Sequence, residues 1–291
     1  MLTVNPKEVS QQQLHGYLLG AIGPRPIAFA STVDKEGRVN LAPFSFFNVF
    51  SSNPPIAIFS PNRGGKTGAT KHTHDNVKEV PEVVLNIVNY SMVQQMSLSS
   101  SPYAKGVDEF IKAGFTKLPS EVVKPPRVAE APVTMECKVN QVIEMGTTGG
   151  AGNLIICEIV RIHIKEEFLD EKGVIDQKKI DLVARMGGNW YCRAHGDALF
   201  EVTKPITTLG IGVDQIPQNI RNSKVLTGND LGHLGSIEHL PTDEEIAAYK
   251  AEHHHKFTSE EGIHIFAQSL LAVNKVAEAW KVLLADKPNI H

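Results

Sequence analysis

Three short segments of the chain combine residue types that could line a slot for a flat, negatively charged ligand. They are RPIAFAST (residues 25–32), NLAPFSFFNVFSSNPP (residues 40–55) and KHTHDN (residues 71–76). The second segment interleaves phenylalanines with small hydrogen-bonding side chains, whereas a buried strand needs only apolar residues and a surface loop only polar ones. Such a mixture is expected where strand ends form both the wall and the rim of a binding site.

The third segment has the composition of a phosphate-binding helix start. It follows a polar loop and is expected to turn helical near Thr73, with Lys71 just before that point and Arg63 and Lys66 nearby. Phosphates bind to Lys or Arg side chains, hydroxyl groups and the free N–H groups of a helix N-terminus. A flavin mononucleotide (FMN) would need such groups for its phosphate, and aromatic walls with strand-end hydrogen bonds for its ring. Taken singly, KHTHDN also fits a solvated helix start and the Phe cluster a plain core, so only their combination favours this hypothesis.

Length, charge and cysteine content limit the other functions. The 291 residues suffice for one large domain, or one domain with an appendage, and for a core that needs no disulfide or metal. The formal net charge of -3 argues against generic nucleic-acid binding. No apolar run is long enough to cross a bilayer and no secretory signal is evident, so we expect a cytoplasmic protein without membrane attachment. The cysteines Cys137, Cys157 and Cys192 form no C-x-x-C pair, and we expect no metal site.

Most elements that would position these segments have the pattern of β-strands. The turn DKEG (residues 34–37) is typical of a hairpin, and later segments alternate apolar and polar residues with period two. Several short strands with helices at the edges predict a small antiparallel barrel, mainly β with peripheral α. The expected strands span residues 26–33, 38–47, 54–60, 82–89, 133–146 and 152–170.

The sequence changes character after about Phe200, where Asn and Gly become frequent. This change predicts a barrel domain over residues 1–200 and an irregular and helical C-terminal extension over residues 201–291. The extension could form a lid over a bound ligand or an arm that wraps around a second subunit.

Two helices are expected within the extension. Thr242 and Thr258 each stand three residues before a glutamate, which is the pattern of a capping box, and the second helix is expected to include residues 263–286. The histidine run at residues 253–255 is expected at a solvated helix end, because consecutive helix residues point in different directions and do not converge on a metal.

Several segments in the same order along residues 10–195 resemble the flavin reductase-like family of FMN-binding split-barrel proteins, which includes the flavoredoxins. The longest of them is PRPIAFASTVDKEGRVNLAPFSFFNVFSSNPPIAIFS, and later ones are KHTHDNV, DEFIKAGFT and ARMGGNWY. The resemblance implies a six-stranded Greek-key split barrel, usually a homodimer, with FMN near the subunit interface. It is specific for the family and much less specific for the reaction.

The resemblance also implies which residues bind the cofactor. Strand residues and the Phe-rich run should line the ring and ribityl chain, the next strand should add two polar groups, and the KHTHDN helix should hold the phosphate end. The FMN-binding residues expected in this way are Arg25, Ser31, Thr32, Ser45, Phe46, Phe47, Asn48, Ser60, Asn62, Lys71, Thr73 and Asn76.

Two departures from the family pattern affect the expected chemistry. His72 stands where the family commonly has Asp, and Gly152 stands about where NAD(P)H-dependent relatives often carry a His. The segment RMGGNWY leaves two alternatives open: Trp190 or Tyr191 could cover a flavin face, or the segment could be a tight turn with a packed aromatic. Arg185 could meet a phosphate or a carboxylate.

The leading functional hypothesis is an FMN-dependent oxidoreductase that takes hydride from NADH or NADPH and passes electrons to a free flavin, another small acceptor or a partner redox protein. No catalytic acid or base is named, because hydride transfer requires none. The alternatives are a flavoredoxin-like electron carrier that does not react with NAD(P)H, and a dimeric scaffold that has lost its cofactor.

Overall fold

The computed structural model describes residues 1–202, 204–254 and 257–285. The chain divides into two compact units, Met1–Phe200 and Glu201–His291, which are described here one at a time.

The first unit is built mainly of strands. Its two longest strands have 12 residues each and form a hairpin, and its helices are short. The strands are β1 (Ala28–Val33), β2 (Val39–Phe44), β3 (Phe47–Ser52), β4 (Pro55–Phe59), β5 (Glu82–Ile87), β6 (Lys117–Leu118), β7 (Arg127–Val128), β8 (Val133–Glu144), β9 (Asn153–Ile164), β10 (Val183–Arg185) and β11 (Tyr191–Arg193). The helices are α1 (Gln11–Ala21), α2 (His72–Glu79), α3 (Val93–Leu98) and α4 (Glu109–Ala113).

The main sheet is antiparallel and curves towards closure. Its strand order is β2-β1-β5-β8-β9-β4-β3, so the two outermost strands are consecutive in the chain. Only Ser45 and Phe46 lie between the end of β2 and the start of β3. A link of two residues keeps the two edges close together, and the sheet must therefore bend into a barrel that is split at this point.

The fold class expected from the sequence is confirmed, but two expected strands were wrong at their boundaries. The strand expected over residues 152–170 ends at Ile164, and a 3₁₀ helix at Glu166–Phe168 follows. Residues 38–47 were expected as one strand, whereas the chain breaks at Ser45 and Phe46 and continues as β3, which pairs with β4. The main sheet consequently has seven strands instead of the six that the resemblance implied. The expected hairpin turn is present, with Gly37 at a φ of 78° and its N–H donating to the Asp34 carbonyl oxygen.

Strand β1 is buried on both faces and separates two parts of the core. Ala28 and Ala30 belong to the cluster inside the barrel, together with Phe59. Phe29 points the other way, and its ring lies 5.2 Å from that of Phe115 in an edge-to-face contact. Because every residue of β1 is buried, this strand is a rigid base for the loops that follow it.

The second unit is helical and packs around Trp280, whose indole Nε1 donates to the Leu234 carbonyl oxygen at 2.9 Å. Within the described ranges, no helix is both long and apolar enough to cross a membrane. The helices are α5 (Gln218–Arg221), α6 (Gly228–Leu234), α7 (Asp243–Glu252), α8 (Glu260–Ala272) and α9 (Val276–Ala285).

The capping box at Thr242 is present, but the one expected at Thr258 is wrong. Ser259 caps α8 instead, because its hydroxyl accepts the Gly262 N–H. The single helix expected after it is divided in two, since Asn274 adopts a left-handed φ of 59° between α8 and α9. The expected helix end at residue 286, and residue 255 of the histidine run, lie outside the described residues.

Candidate functional site

A cleft of about 440 Å³ opens where β2 ends and α2 begins. This volume is typical of sites for small molecules and cofactors. Half of the predicted FMN-binding residues line it. These lining residues are Ser45, Phe46, Ser60, Asn62, Lys71 and Thr73. The cleft brings together residues of the second and third sequence segments (residues 40–55 and 71–76), but none of the first (residues 25–32).

The start of α2 presents unpaired donors to this cleft. Lys71 is exposed and makes no ion pair with any described residue, and the backbone N–H groups of His72 and Thr73 have no acceptor in the described part of the chain. The Thr73 hydroxyl accepts a hydrogen bond from Asn40 Nδ2 at 2.9 Å, so its own proton is available to a ligand. Helix N-termini with such groups bind anions.

Buried amide and hydroxyl groups fix the position of this helix start. Asn76 Nδ2 donates to Thr32 Oγ1 at 3.1 Å, and both residues are buried, so this bond ties α2 to β1. Thr32 and Asn76 therefore stand behind the cleft and do not line it. Ser31 is also fully buried, and its Oγ has no hydrogen-bond partner in the described chain.

The opposite side of the cleft is held by a small polar network. Ser60 Oγ donates to Asn62 Oδ1 at 2.8 Å and accepts the N–H of Asn153 at 3.0 Å. Gly152 packs against this network, because a Cβ at its position would lie 3.1 Å from Ser60 Oγ. Position 152 is thus next to the cleft, and any side chain there would make a tight contact with Ser60 Oγ.

Three other predicted residues do not line the cleft. Phe47 packs on the barrel core, and Asn48 is exposed, with its Oδ1 accepting the Val49 N–H. Arg25 is buried, and its guanidinium donates to three backbone carbonyl oxygens and to Ser45 Oγ. Arg63, which precedes the start of α2, donates hydrogen bonds to two carbonyl oxygens and a carboxylate. Neither arginine is therefore free to reach a phosphate.

Sequence reasoning missed Glu109, a carboxyl group that lines the same cleft. It is 4 % exposed, and its Oε2 accepts the Leu41 N–H at 3.0 Å. Burial raises the pKa of Glu109, and the bond from Leu41 offsets only part of that effect. The available signal was an acidic residue immediately before Phe110 at a helix start, which places a carboxyl beside the core.

A second cleft of about 580 Å³ adjoins the first, and both are lined by Pro43, Phe44, Ser45 and Ser100. Its far side is formed by the RMGGNWY segment, through Arg185, Asn189 and Tyr191.

The RMGGNWY segment is a tight turn between β10 and β11. The Trp190 N–H donates to the Gly187 carbonyl oxygen at 3.1 Å, and the Trp190 side chain is 77 % exposed. Tyr191 lines the second cleft, with the Arg185 guanidinium 4.6 Å from its ring centroid. The turn is therefore present, and the covering of a flavin face by Trp190 or Tyr191 stays a prediction.

No group of His, Cys, Asp and Glu side chains among the described residues could hold a metal ion. The site is therefore an arrangement of anion-binding donors, small polar groups and aromatic walls.

Known proteins resemble about two thirds of this chain. The chain is 38% identical over 192 residues to the uncharacterized protein BH2278 of Halalkalibacterium halodurans. This match covers 65% of this chain and 91% of that protein. An uncharacterized protein of Aquifex aeolicus is 35% identical and covers 67% of this chain and 97% of its own length.

Two solved structures have similar folds. Nitrilotriacetate monooxygenase component B from Bacillus cereus has a TM-score of 0.64 at 33% identity, over 70% of this chain and 98% of that one. The 2-nitrobenzoate 2-nitroreductase of Pseudomonas fluorescens has a TM-score of 0.64 at 27% identity, over 72% of this chain and 100% of that one. The sequence model of the flavin reductase like domain matches residues 21–181. With this match over more than half of its length, the chain belongs to the flavin reductase-like domain family.

Proposed function

We propose that the protein binds FMN in the first cleft and is an oxidoreductase that uses NADH or NADPH as its electron donor. Membership of the flavin reductase-like family supports a flavin-related oxidoreductase. The observation that carries the FMN assignment is the helix start at Lys71, where a free ammonium, the Thr73 hydroxyl proton and two backbone N–H groups face one end of a cofactor-sized cleft. A flavin with a terminal phosphate matches this donor set.

The residues of the cleft have separate tasks in this proposal. Lys71 and Thr73 bind the phosphate, and Ser60 and Asn62 offer polar atoms to the ring edge or the ribityl chain. Phe46 supplies an apolar wall. When bound, the flavin supplies the hydride and electron transfer chemistry, so the protein needs to orient it and limit access of water.

The predicted residues behind the cleft act indirectly. Thr32 and Asn76 keep the helix start in place, and Arg25 holds the loop around Ser45 through its hydrogen bond to the Ser45 hydroxyl. For Ser31, Phe47 and Asn48 we propose no direct contact with FMN from the same subunit. Their expected contact with FMN stays a prediction.

Anaerobic mixing of the FMN-loaded protein with NADH or NADPH tests the donor. We expect the absorbance band of the oxidised flavin in the blue region of the spectrum to disappear within seconds. An unchanged band over minutes would exclude direct reaction with these nucleotides.

An electron carrier that does not react with NAD(P)H is the second candidate. The residue at position 152 favours it, because a glycine stands about where NAD(P)H-dependent relatives often carry a His. Reduction of the bound flavin by dithionite but not by NADH or NADPH is the result expected for a carrier.

We further propose that the functional form is a homodimer. Apolar side chains lie exposed on the edge strand β3 and on β9, among them Val49, Phe50 and Ile162, which are 49%, 66% and 50% exposed. Exposed apolar groups concentrated on one part of a sheet mark interaction surfaces. Sedimentation of the wild type and of Phe50→Asp tests this proposal, since a dimer should dissociate when charge is placed on its contact surface.

A further inference from the structure

Two arginines bring positive charge to the second cleft without a neutralising partner. Arg25 is 5% exposed and donates only to carbonyl oxygens and to Ser45 Oγ, which lines both clefts. Arg185 lies in the cleft wall, and its Nη2 donates to the Gly188 carbonyl oxygen at 2.9 Å. Among the described residues, no carboxylate forms an ion pair with either guanidinium.

An uncompensated cation in a buried position is energetically costly. A charge taken out of water needs a counter-charge or several hydrogen bonds, and the carbonyl oxygens supply only the second. Burial and the positive charge of Arg185 both lower the pKa of Arg25, which means that each guanidinium raises the electrostatic cost of the other. An anion in the adjoining cleft would offset this cost.

The composition of the second cleft suits an organic anion. Ile27, Phe44 and Tyr191 provide apolar surface, whereas Gln94 and Asn189 provide amide groups. The Arg185 guanidinium donates one hydrogen bond to a carbonyl oxygen, and its other N–H groups have no acceptor in the described chain. Stacking on the Tyr191 ring keeps the guanidinium plane in a fixed orientation, as binding of a carboxylate or phosphate by two parallel bonds requires.

The position of the second cleft relates it to the proposed reaction. It shares Pro43, Phe44, Ser45 and Ser100 with the first cleft, so a molecule bound there lies beside a ligand of the first. We propose that the second cleft binds the anionic group, carboxylate or phosphate, of the substrate that exchanges electrons with the flavin, and that Arg185 is its direct partner. This inference rests on the proposed function and adds to it the chemical class of the substrate.

Calorimetric titration of the FMN-loaded protein with benzoate, and with its neutral analogue benzamide, tests the anion site without turnover. Loss of one charge-assisted hydrogen bond corresponds to about a tenfold or larger rise in Kd, so Arg185→Met should weaken benzoate by at least that factor. Benzamide should be unaffected, and Arg185→Lys, which keeps the charge, should recover part of the affinity.

Arg161→Met is the matched control, because Arg161 is an exposed arginine of β9 that lines neither cleft. It removes the same charge and should leave benzoate binding unchanged. An equal effect of Arg161→Met and Arg185→Met, or no benzoate binding by the wild type, would overturn the proposal.

Rapid-mixing experiments distinguish the two sources of the anion. If the cleft holds the phosphates of the donor, Arg185→Met weakens reduction by NADH or NADPH but not by the uncharged N-benzyl-1,4-dihydronicotinamide. If the cleft holds an acceptor, Arg185→Met lowers the rate at which 2-nitrobenzoate reoxidises the flavin but not the rate with nitrobenzene. Unchanged rates in every pair would contradict the inference alone, whereas failure of the wild type to retain FMN would remove the proposed function together with it.

Discussion

At the residue scale, the proposed site depends on Lys71, the charged side chain at the start of α2 that lines the cleft and lacks a partner among the described residues. A charge-assisted bond to a phosphate contributes about 1–3 kcal/mol, so Lys71→Ala should weaken FMN binding by that amount. Fluorescence titration of the apoprotein with FMN measures the change. Raising the salt concentration should reduce the difference between the two proteins, because exposed charges are screened.

Lys66→Ala is the control for this substitution. Lys66 lies in the same loop and is equally exposed, but it does not line the cleft. Equal affinities of the wild type and Lys66→Ala, with a loss for Lys71→Ala, would support the assignment. A loss of the same size in both variants would instead indicate a general charge effect.

Thr73 has two tasks that substitution can separate. Its hydroxyl accepts the bond from Asn40 and is proposed to donate to the phosphate. Thr73→Val removes both bonds and leaves the buried Asn40 amide unpaired, which should lower the free energy of unfolding by about 1–3 kcal/mol and weaken FMN binding as well. Thr73→Ser keeps the hydroxyl and should preserve the affinity. Urea denaturation and FMN titration of both variants check this. Equal FMN affinities of Thr73→Val and Thr73→Ser would argue against a phosphate contact.

Local pattern identified some site residues and failed for others for a physical reason. Lys71 and Thr73 could be predicted because a helix start is a local feature that presents its own donors. The partners of Arg25 come from distant parts of the chain, including the Met186 carbonyl oxygen, and no local pattern shows that its donors are used there. Glu109 was missed because its burial depends on how α4 packs near β2.

At the element scale, a buried carboxylate anchors the loop before β7 to strand β8. Glu136 is fully buried, and its two oxygens accept the N–H groups of Glu121 at 2.8 Å, Val122 at 2.7 Å and Val123 at 3.2 Å, while His163 Nε2 lies 2.7 Å away. Burial alone would raise the pKa of Glu136, but these hydrogen bonds outweigh it, and the pKa is lowered. The folded protein therefore favours the charged form of this group.

Glu136→Gln should destabilise the first unit. A glutamine keeps one acceptor oxygen but points an NH₂ group at N–H donors, and we expect a loss of about 2 kcal/mol or more in the free energy of unfolding. The contribution of Glu136 is complete above its ordinary pKa of 4.5 and is lost as the pH falls through the lower folded-state pKa. The denaturation curves of the wild type and the variant should therefore differ at neutral pH and converge as the pH falls below 4.5 and through the folded-state pKa.

Glu109→Gln should have the opposite sign. Burial raises the pKa of Glu109, so the folded protein binds its proton more tightly than the unfolded chain does, and stability falls as the pH rises from 4.5 through the folded-state pKa. A glutamine still accepts the Leu41 N–H and removes the cost of a buried charge. We expect the variant to be at least as stable as the wild type at neutral pH, which thermal unfolding measures. A lower melting temperature would show that the charged carboxyl stabilises the fold.

Element types were easier to predict from the sequence than their ends. The alternating pattern of residues 38–47 continues through Ser45 and Phe46, so nothing local marks the change from β2 to β3. That break arises because β3 pairs with β4, at the other end of the strand order from β2. Similarly, Asn274 ends a helical pattern in which apolar residues continue at helical spacing on both sides.

At the scale of the whole molecule, the family model ends at residue 181, and the second compact unit begins at Glu201. A match to about two thirds of this chain covers 91% of the Halalkalibacterium relative and 97% of the Aquifex relative. These two relatives therefore have no unmatched segment as long as the second unit. The second unit has its own core around Trp280.

A chain that ends at Phe200 should consequently fold and bind FMN. All residues that line the first cleft belong to the first unit, so we expect the FMN dissociation constant to stay within about threefold of the full-length value, a difference of less than one kcal/mol. FMN titration and sedimentation of the shortened and full-length proteins test this. Loss of the dimer with FMN affinity unchanged would assign the second unit to assembly, as a wrapping arm requires. A large loss of affinity in a folded dimer would show that residues after 200 close over the cofactor, because the lining groups are all still present.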